Sequence, residues 1–128
     1  MKTSVLMAGV AKMGDILLRS DDPDMIEFRK NQPAGQLEKY CQATGDIDAI
    51  HFVGHAAPIP LLFQFANFEQ YFDKISMQHY VAAASEPKRV LYYDTGHDLN
   101  DPKALEDRYD WLAKYINLRR ERISSDPR

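Results

Sequence analysis

Two side chains at matching places in the sequence suggest chemistry. Glu69 stands in "NFEQYF" and His97 in "YYDTGHDLND", 28 positions apart, and each lies just beyond a run of strand-forming residues. A carboxylate beside an imidazole fixes the tautomer of the ring and steadies its positive form, which is the acid-base part of a hydrolytic triad. Asp73 is the alternative carboxylate, but its position suits the N-cap of the helix containing Ile75 and Val81. Asp94, His97 and Asp98 superficially imitate a metal site. Two carboxylates so close to one histidine in a glycine turn are more simply hydrogen-bonding loop residues, so neither metal nor cofactor is expected. His51 and His55 read as loop residues on the approach to the second strand, and His79 as a surface residue within a helix.

The elements that must hold Glu69 and His97 follow from the apolar runs. "SVLMAG" at 4–9, "IPLLFQFA" at 59–66 and "RVLYYD" at 89–94 are continuous rather than alternating. That pattern suits strands covered on both faces, as in a parallel sheet. Between the second and third runs, Ile75, Tyr80, Val81 and Ala84 recur at near-helical spacing up to Pro87. After the third, Asp101 caps and Pro102 opens a helix in which Leu105, Tyr109, Leu112 and Ile116 repeat. The spacing of Trp111 with Tyr109 and Tyr115 predicts packing of this helix on the sheet. The first crossover, 11–54, reads as a helical insertion with helical stretches in "VAKMGDILLR", from Asp22-Pro23, and in "AGQLEKYCQA". Residues 119–128 read as a frayed tail. The order predicts one α/β domain: about three parallel strands joined by right-handed crossovers, with flanking helices in three layers. Ligands of such sheets meet the carboxyl ends of the strands, where both Glu69 and His97 fall.

Composition narrows the function classes. The 128 residues carry a formal charge of −3 and a pI near 5.8, with scattered lysines and arginines, so no nucleic-acid partner is expected. The longest apolar stretch, "AAPIPLLF", is too short for a bilayer and holds two prolines. "MKTSVLMAGVA" is too short an apolar run for a secretory leader, and the single Cys41 forms no disulfide framework or redox pair. The expected location is the cytoplasm.

Taken in order, "APIPLLFQFANFEQYF", "EPKRVLYYDTGHDLND" and "DRYDWLAKYINL" resemble the C-terminal part of an α/β-hydrolase of the dienelactone hydrolase or prolyl-oligopeptidase-like esterase type. The resemblance implies Glu69 as triad acid, where the family usually has aspartate, and His97 as triad histidine. It also implies that "SVLMAG" corresponds to the strand after the nucleophile elbow. No G-x-S-x-G or related elbow occurs, and Ser4, Ser20, Ser76, Ser85 and Cys41 lack the glycine setting that such a turn needs. Three readings follow: a serine ester hydrolase part acting on a small ester only when complemented by a nucleophile-bearing half, a noncatalytic binding or interaction module, or a truncated product without function. The expected partner is that half or a second copy, meeting the apolar edge of strand 4–9.

Overall fold

The computed structural model describes residues 1–118. Three strands, β1 (Ser4–Met7), β2 (Leu61–Ala66) and β3 (Lys88–Tyr93), form a parallel sheet in the order β1-β2-β3. The register pairs Ser4 with Leu61 and Leu61 with Lys88. All six residues of β2 are buried, as a central strand covered on both faces requires. Successive β2 side chains point to opposite faces. Leu61, Phe63 and Phe65 join Met77, Tyr80 and Val53 in the larger core, whereas Ala66 joins Ala8, Tyr93, Leu99 and Ala104 in the smaller one. The sheet is thus the middle layer of three.

The helix starts follow local chemistry. α2 (Pro23–Lys30) has Pro23 at its first turn, and the Asp22 carboxylate accepts from the N–H groups of Asp24 and Met25. α4 (Lys74–Ala83) is capped by Asp73, which accepts from Ser76 N at 2.8 Å. Asp101 caps α5 (Pro102–Ile116) by accepting from Lys103 N and Ala104 N. These carboxylates satisfy N–H groups that the first helical turn leaves unpaired. Lys88 Nζ donates to Val81 O and Ala84 O, closing the other end of α4. The 11–54 segment contains α1 (Met13–Leu17), α2 and α3 (Gln36–Thr44), followed by three 3₁₀ turns. α1 is shorter than "VAKMGDILLR" suggested. α2 and α3 contain no fully buried residue, so they line the core's rim rather than form it.

The buried faces of α4 and α5 match the expected ones only in part. On α4, Tyr80 is buried as expected, with Ala84 just beyond the helix buried too, whereas Ile75 is 58% exposed and Ser76 and Met77 are buried in its place. Leu105 is 62% exposed and Ile116 is also exposed, while Ala104 and Trp111 face inward. Ala104 lacks bulk, so the α5 backbone approaches β2 closely enough for Gln64 Nε2 to donate to Ala104 O at 2.8 Å. Trp111 meets Tyr115 and donates from its indole N–H to Thr3 Oγ1 at 2.7 Å. His51, His55 and His79 are exposed, the first two in 3₁₀ turns and the third on α4. Among the described residues, no helix is long and apolar enough to cross a membrane. The predicted tail, 119–128, lies outside the described residues.

A polar chain ties α5 to the sheet. Fully buried Gln64 donates to Tyr93 Oη and Ala104 O and accepts from Arg108 Nε, while Tyr93 donates to Asp107, which also bonds Lys103. Burial pushes the Tyr93 hydroxyl above its usual pKa, in line with its neutral donor role. Burial also pushes the Asp107 carboxyl up, but hydrogen bonds from Lys103 and Tyr93, with the charges of Lys103 and Arg89, outweigh it and hold the group below its ordinary value. Gln64→Leu should cost about 1–3 kcal/mol in urea unfolding, because it leaves buried partners without a bond. Asp107 has its pKa lowered on folding, so its contribution is present above the unfolded carboxyl value and is lost as pH falls through the folded one. The stability difference between the parent and Asp107→Asn should therefore shrink on acidification below about pH 4; a difference constant with pH in matched unfolding titrations would contradict this.

Candidate active site

The loops after β2 and β3 continue the sheet's hydrogen bonding beyond its last paired residues. Asn67 N donates to Tyr93 O at 2.8 Å, and Phe68 N donates to Thr95 O at 3.1 Å. The side chains add a third tie, Asn67 Nδ2 to Asp94 Oδ1 at 2.6 Å. Two loops that would otherwise move independently are thereby zipped together at the carboxyl end of the sheet. Glu69 and His97 each lie two residues or less beyond this zipper's last link.

Glu69 then folds back on its own chain. Its Oε1 accepts from Gln70 N at 3.1 Å and Tyr71 N at 3.0 Å, and the side chain is only 3% exposed. Both of its oxygens lie 2.9 Å from His97 Nδ1. An ionised carboxylate only accepts, so this pairing assigns the proton of the neutral ring to Nδ1 and leaves Nε2 with its lone pair. Nε2 has no hydrogen-bond partner among the described residues, and the imidazole remains 38% exposed. The geometry therefore presents an unbonded ring nitrogen on a partly exposed imidazole, backed by a buried carboxylate. Asp73 is occupied as the cap of α4, and Glu69 is the carboxylate at His97.

The His97 loop is held from below. Leu99 is 4% exposed within the smaller core and adopts a φ of 50°. A leucine in the left-handed region is costly, on the order of 1–2 kcal/mol, and persists only where packing over-determines it. Leu99 N donates to Gly96 O and Leu99 O accepts from Asp101 N, so the buried side chain anchors a tight turn immediately beyond His97. Asp98 accepts from Asn100 N, and Asp94 is engaged by Asn67. Among the described residues no group of three or more potential metal ligands comes together.

Sequence reasoning missed the aromatic wall. The Tyr71 ring lies 4.8 Å from the imidazole, centroid to centroid, at 86°, and the Phe72 ring lies at 6.2 Å and 88°. The available signal was the placement of two rings directly after the proposed acid in "EQYF". None of the candidate hydroxyls meets His97: Ser76 Oγ donates to Asp15 at 2.6 Å, Ser85 Oγ bonds Val53 O, and Ser20 Oγ accepts from Asp22 N. Ser4 begins β1, at the opposite end of the sheet. Cys41 lies on α3, where burial, with Asp48 and Glu38 adding to it, pushes its thiol pKa up and away from nucleophilic character.

No family model matches the chain, and no curated protein matches its sequence. Among solved structures, an acetyl xylan esterase from Paenibacillus sp. R4 is similar, with a TM-score of 0.67 at 16% identity over 90% of this chain. The chain spans 38% of that esterase's length. At this identity the likeness bears on fold alone: the three parallel strands and their flanking helices are a partial α/β-hydrolase fold.

Proposed function

We propose that the chain supplies the acid-base part of a serine ester hydrolase related to the dienelactone hydrolase or prolyl-oligopeptidase-like esterases, with the nucleophile borne on chain outside these 128 residues. The observation that carries the reading is the pairing of His97 Nδ1 with a buried Glu69 while Nε2 remains accessible. In this reading Nε2 takes the proton of a serine hydroxyl as that oxygen bonds to the ester carbonyl carbon. The proton then passes from Nε2 to the departing alkoxide, and the alcohol leaves an acyl-enzyme. Water repeats the sequence: it gives a proton to Nε2 while attacking, and the serine oxygen recovers one as the acid departs. Glu69 remains ionised throughout and steadies the imidazolium. The similarity to an acetyl xylan esterase makes small acetyl esters the first substrates to test.

Glutamate in place of the usual aspartate suits this geometry. The longer side chain lets one carboxylate turn back to two peptide N–H groups of its own loop while it also meets the imidazole. Aspartate is one methylene shorter and would have to give up one of these sets. Misplacement by about an ångström is enough to cost on the order of a hundredfold in catalysis.

The proposed attachment surface is β1. The strand is paired only with β2, so one side of its backbone is unpartnered within the described sheet. Grooves open beside it on both faces: one of about 410 Å³ holds Leu6, Phe52, Ile59 and Tyr80, and another of about 540 Å³ holds Met7, Leu99, Leu105 and Arg108. An edge flanked by apolar surface favours pairing with another strand. This same surface favours the second reading, a noncatalytic interaction module. Leu6 packs against the larger core, whereas Met7 is exposed, so Met7 is the position at which to test the edge.

The isolated chain should show no saturable turnover of nitrophenyl acetate; an acyl-enzyme on any of its serines or Cys41 would overturn the proposed division of the triad. Adding a nucleophile-bearing N-terminal half of the family should restore hydrolysis, which His97→Ala should lower by about 10²–10⁴-fold. Glu69→Gln should cost less than His97→Ala, and Glu69→Asp should not restore the parent rate. A larger loss from Asp73→Asn than from Glu69→Gln, at unchanged folding, would reassign the acid. Sedimentation should show self-association or binding of the added half, weakened by Met7→Lys. A monomer that binds no half and gains no activity would remove both the attachment surface and the hydrolase reading.

A further inference from the structure

We propose that Tyr71 is a positioning residue for His97, setting the direction in which the imidazole presents Nε2. The inference rests on the reading of His97 as a base oriented by Glu69. Glu69 alone holds that direction through a single contact. It holds the ring at one atom, Nδ1, which sits 2.9 Å from each carboxylate oxygen. With the Cβ–Cγ bond this contact sets the mean direction of the ring, but it resists tilting only as strongly as one hydrogen-bonded atom can. Nothing among the described residues bonds Nε2 to stop that tilting.

Tyr71 acts on both members of the pair. Its peptide N–H donates to Glu69 Oε1 at 3.0 Å, and its ring meets the imidazole nearly perpendicularly at 4.8 Å. Perpendicular aromatic pairs set the positive edge of one ring against the negative face of the other, so turning the imidazole out of this plane forfeits the contact. Phe72 is buried and nearly perpendicular to the imidazole at 6.2 Å, closing a second side. The Tyr71 hydroxyl has no hydrogen bond among the described residues. The ring and the peptide N–H, not the phenol, therefore carry the role.

This separates two substitutions. Tyr71→Phe keeps the ring and the N–H, whereas Tyr71→Leu keeps only the N–H. The test is nuclear magnetic resonance on the full chain labelled at histidine, with amide signals of β2 as the folding control. In the parent, the His97 nitrogens should report a single Nδ1–H tautomer. Its ring protons should show cross-peaks to Tyr71 and resonances displaced by the Tyr71 ring current. Tyr71→Phe should keep these features. Tyr71→Leu should lose the displacement, and its two ring nitrogens should move toward averaged shifts while the β2 amides stay in place. An averaged His97 in the parent, or an unchanged single tautomer in folded Tyr71→Leu, overturns the proposal. Should Tyr71→Leu fail to fold, the parent cross-peaks and the retention in Tyr71→Phe decide it. In an assembled, active enzyme, Tyr71→Leu should lower kcat by about tenfold or more with little change in KM. A fixed single tautomer, lost in Tyr71→Leu, in a chain that no nucleophile-bearing half activates would support the positioning while overturning the hydrolase reading, so the two fail separately.

Discussion

Everything at the candidate site hangs on β2 being paired on both sides. A buried strand has no water to satisfy its N–H and C=O groups, so both neighbours must be present and in register. The pairing of Ala66 with Tyr93 sets where each strand ends, and the next two N–H groups, those of Asn67 and Phe68, extend the same ladder into the loops. A one-residue slip would turn the β2 side chains to the wrong faces. It would also separate Glu69 from His97, since neither residue reaches the other except through this alignment. The same constraint orders the faces: three apolar β2 residues fill one core, while Gln64 on the other face requires the polar partners that α5 brings.

Much of the frame was legible in the sequence, and the reasons are specific. The three strands announced themselves as continuous apolar runs, and β2 appears nearly as expected; cover on both faces holds for β2, whereas β1 and β3, at the sheet edges, leave Met7 and Tyr92 exposed. The Asp22-Pro23 and Asp101-Pro102 pairs marked helix starts because a cap and a fixed φ leave little else for the chain to do. Helix faces were less legible. Periodicity counts apolar residues but does not know what stands opposite, so Ile75 and Leu105 looked inward and are exposed, while Ser76 and Ala104 are buried. At the site, the ordered loops brought forward Glu69 and His97 as a pair. The roles of Gln64 in the polar chain, of Leu99 as a buried anchor and of Tyr71 as a wall depend on contacts across the fold, and no local pattern encodes them.

The loop chemistry also shows how a glutamate can be buried beside its own backbone. A glutamate reaching outward would carry its charge away from the backbone. Here the side chain is folded back, and the carboxylate is buried without being left unpaired, because two peptide N–H groups and one imidazole meet it. Burying a charge is expensive unless it is paired and hydrogen-bonded, and this carboxylate is both. The arrangement leaves Asp73, only four residues on, free to serve the helix instead of competing for the ring.

The zipper of Asn67 and Phe68 on Tyr93 and Thr95 has a further consequence for how such a site comes into being. Strand, helix, strand and both loops occupy one uninterrupted stretch, from Leu61 to Asp101, and the Glu69–His97 contact closes only 28 residues. Closing a loop of that length costs about 3 kcal/mol in chain entropy beyond a constant, and most of that closure is already made when β2 and β3 pair. Low contact order of this kind permits early formation during folding. Both members of the pair come from this one stretch, while β1 and the 11–54 insertion complete the frame that holds it, β1 by pairing with β2 and the insertion by setting Asp15 and Arg19 beside the Glu69 loop. A segment of this kind can be inherited, exchanged or retained as one piece, carrying its carboxylate–imidazole pair with it.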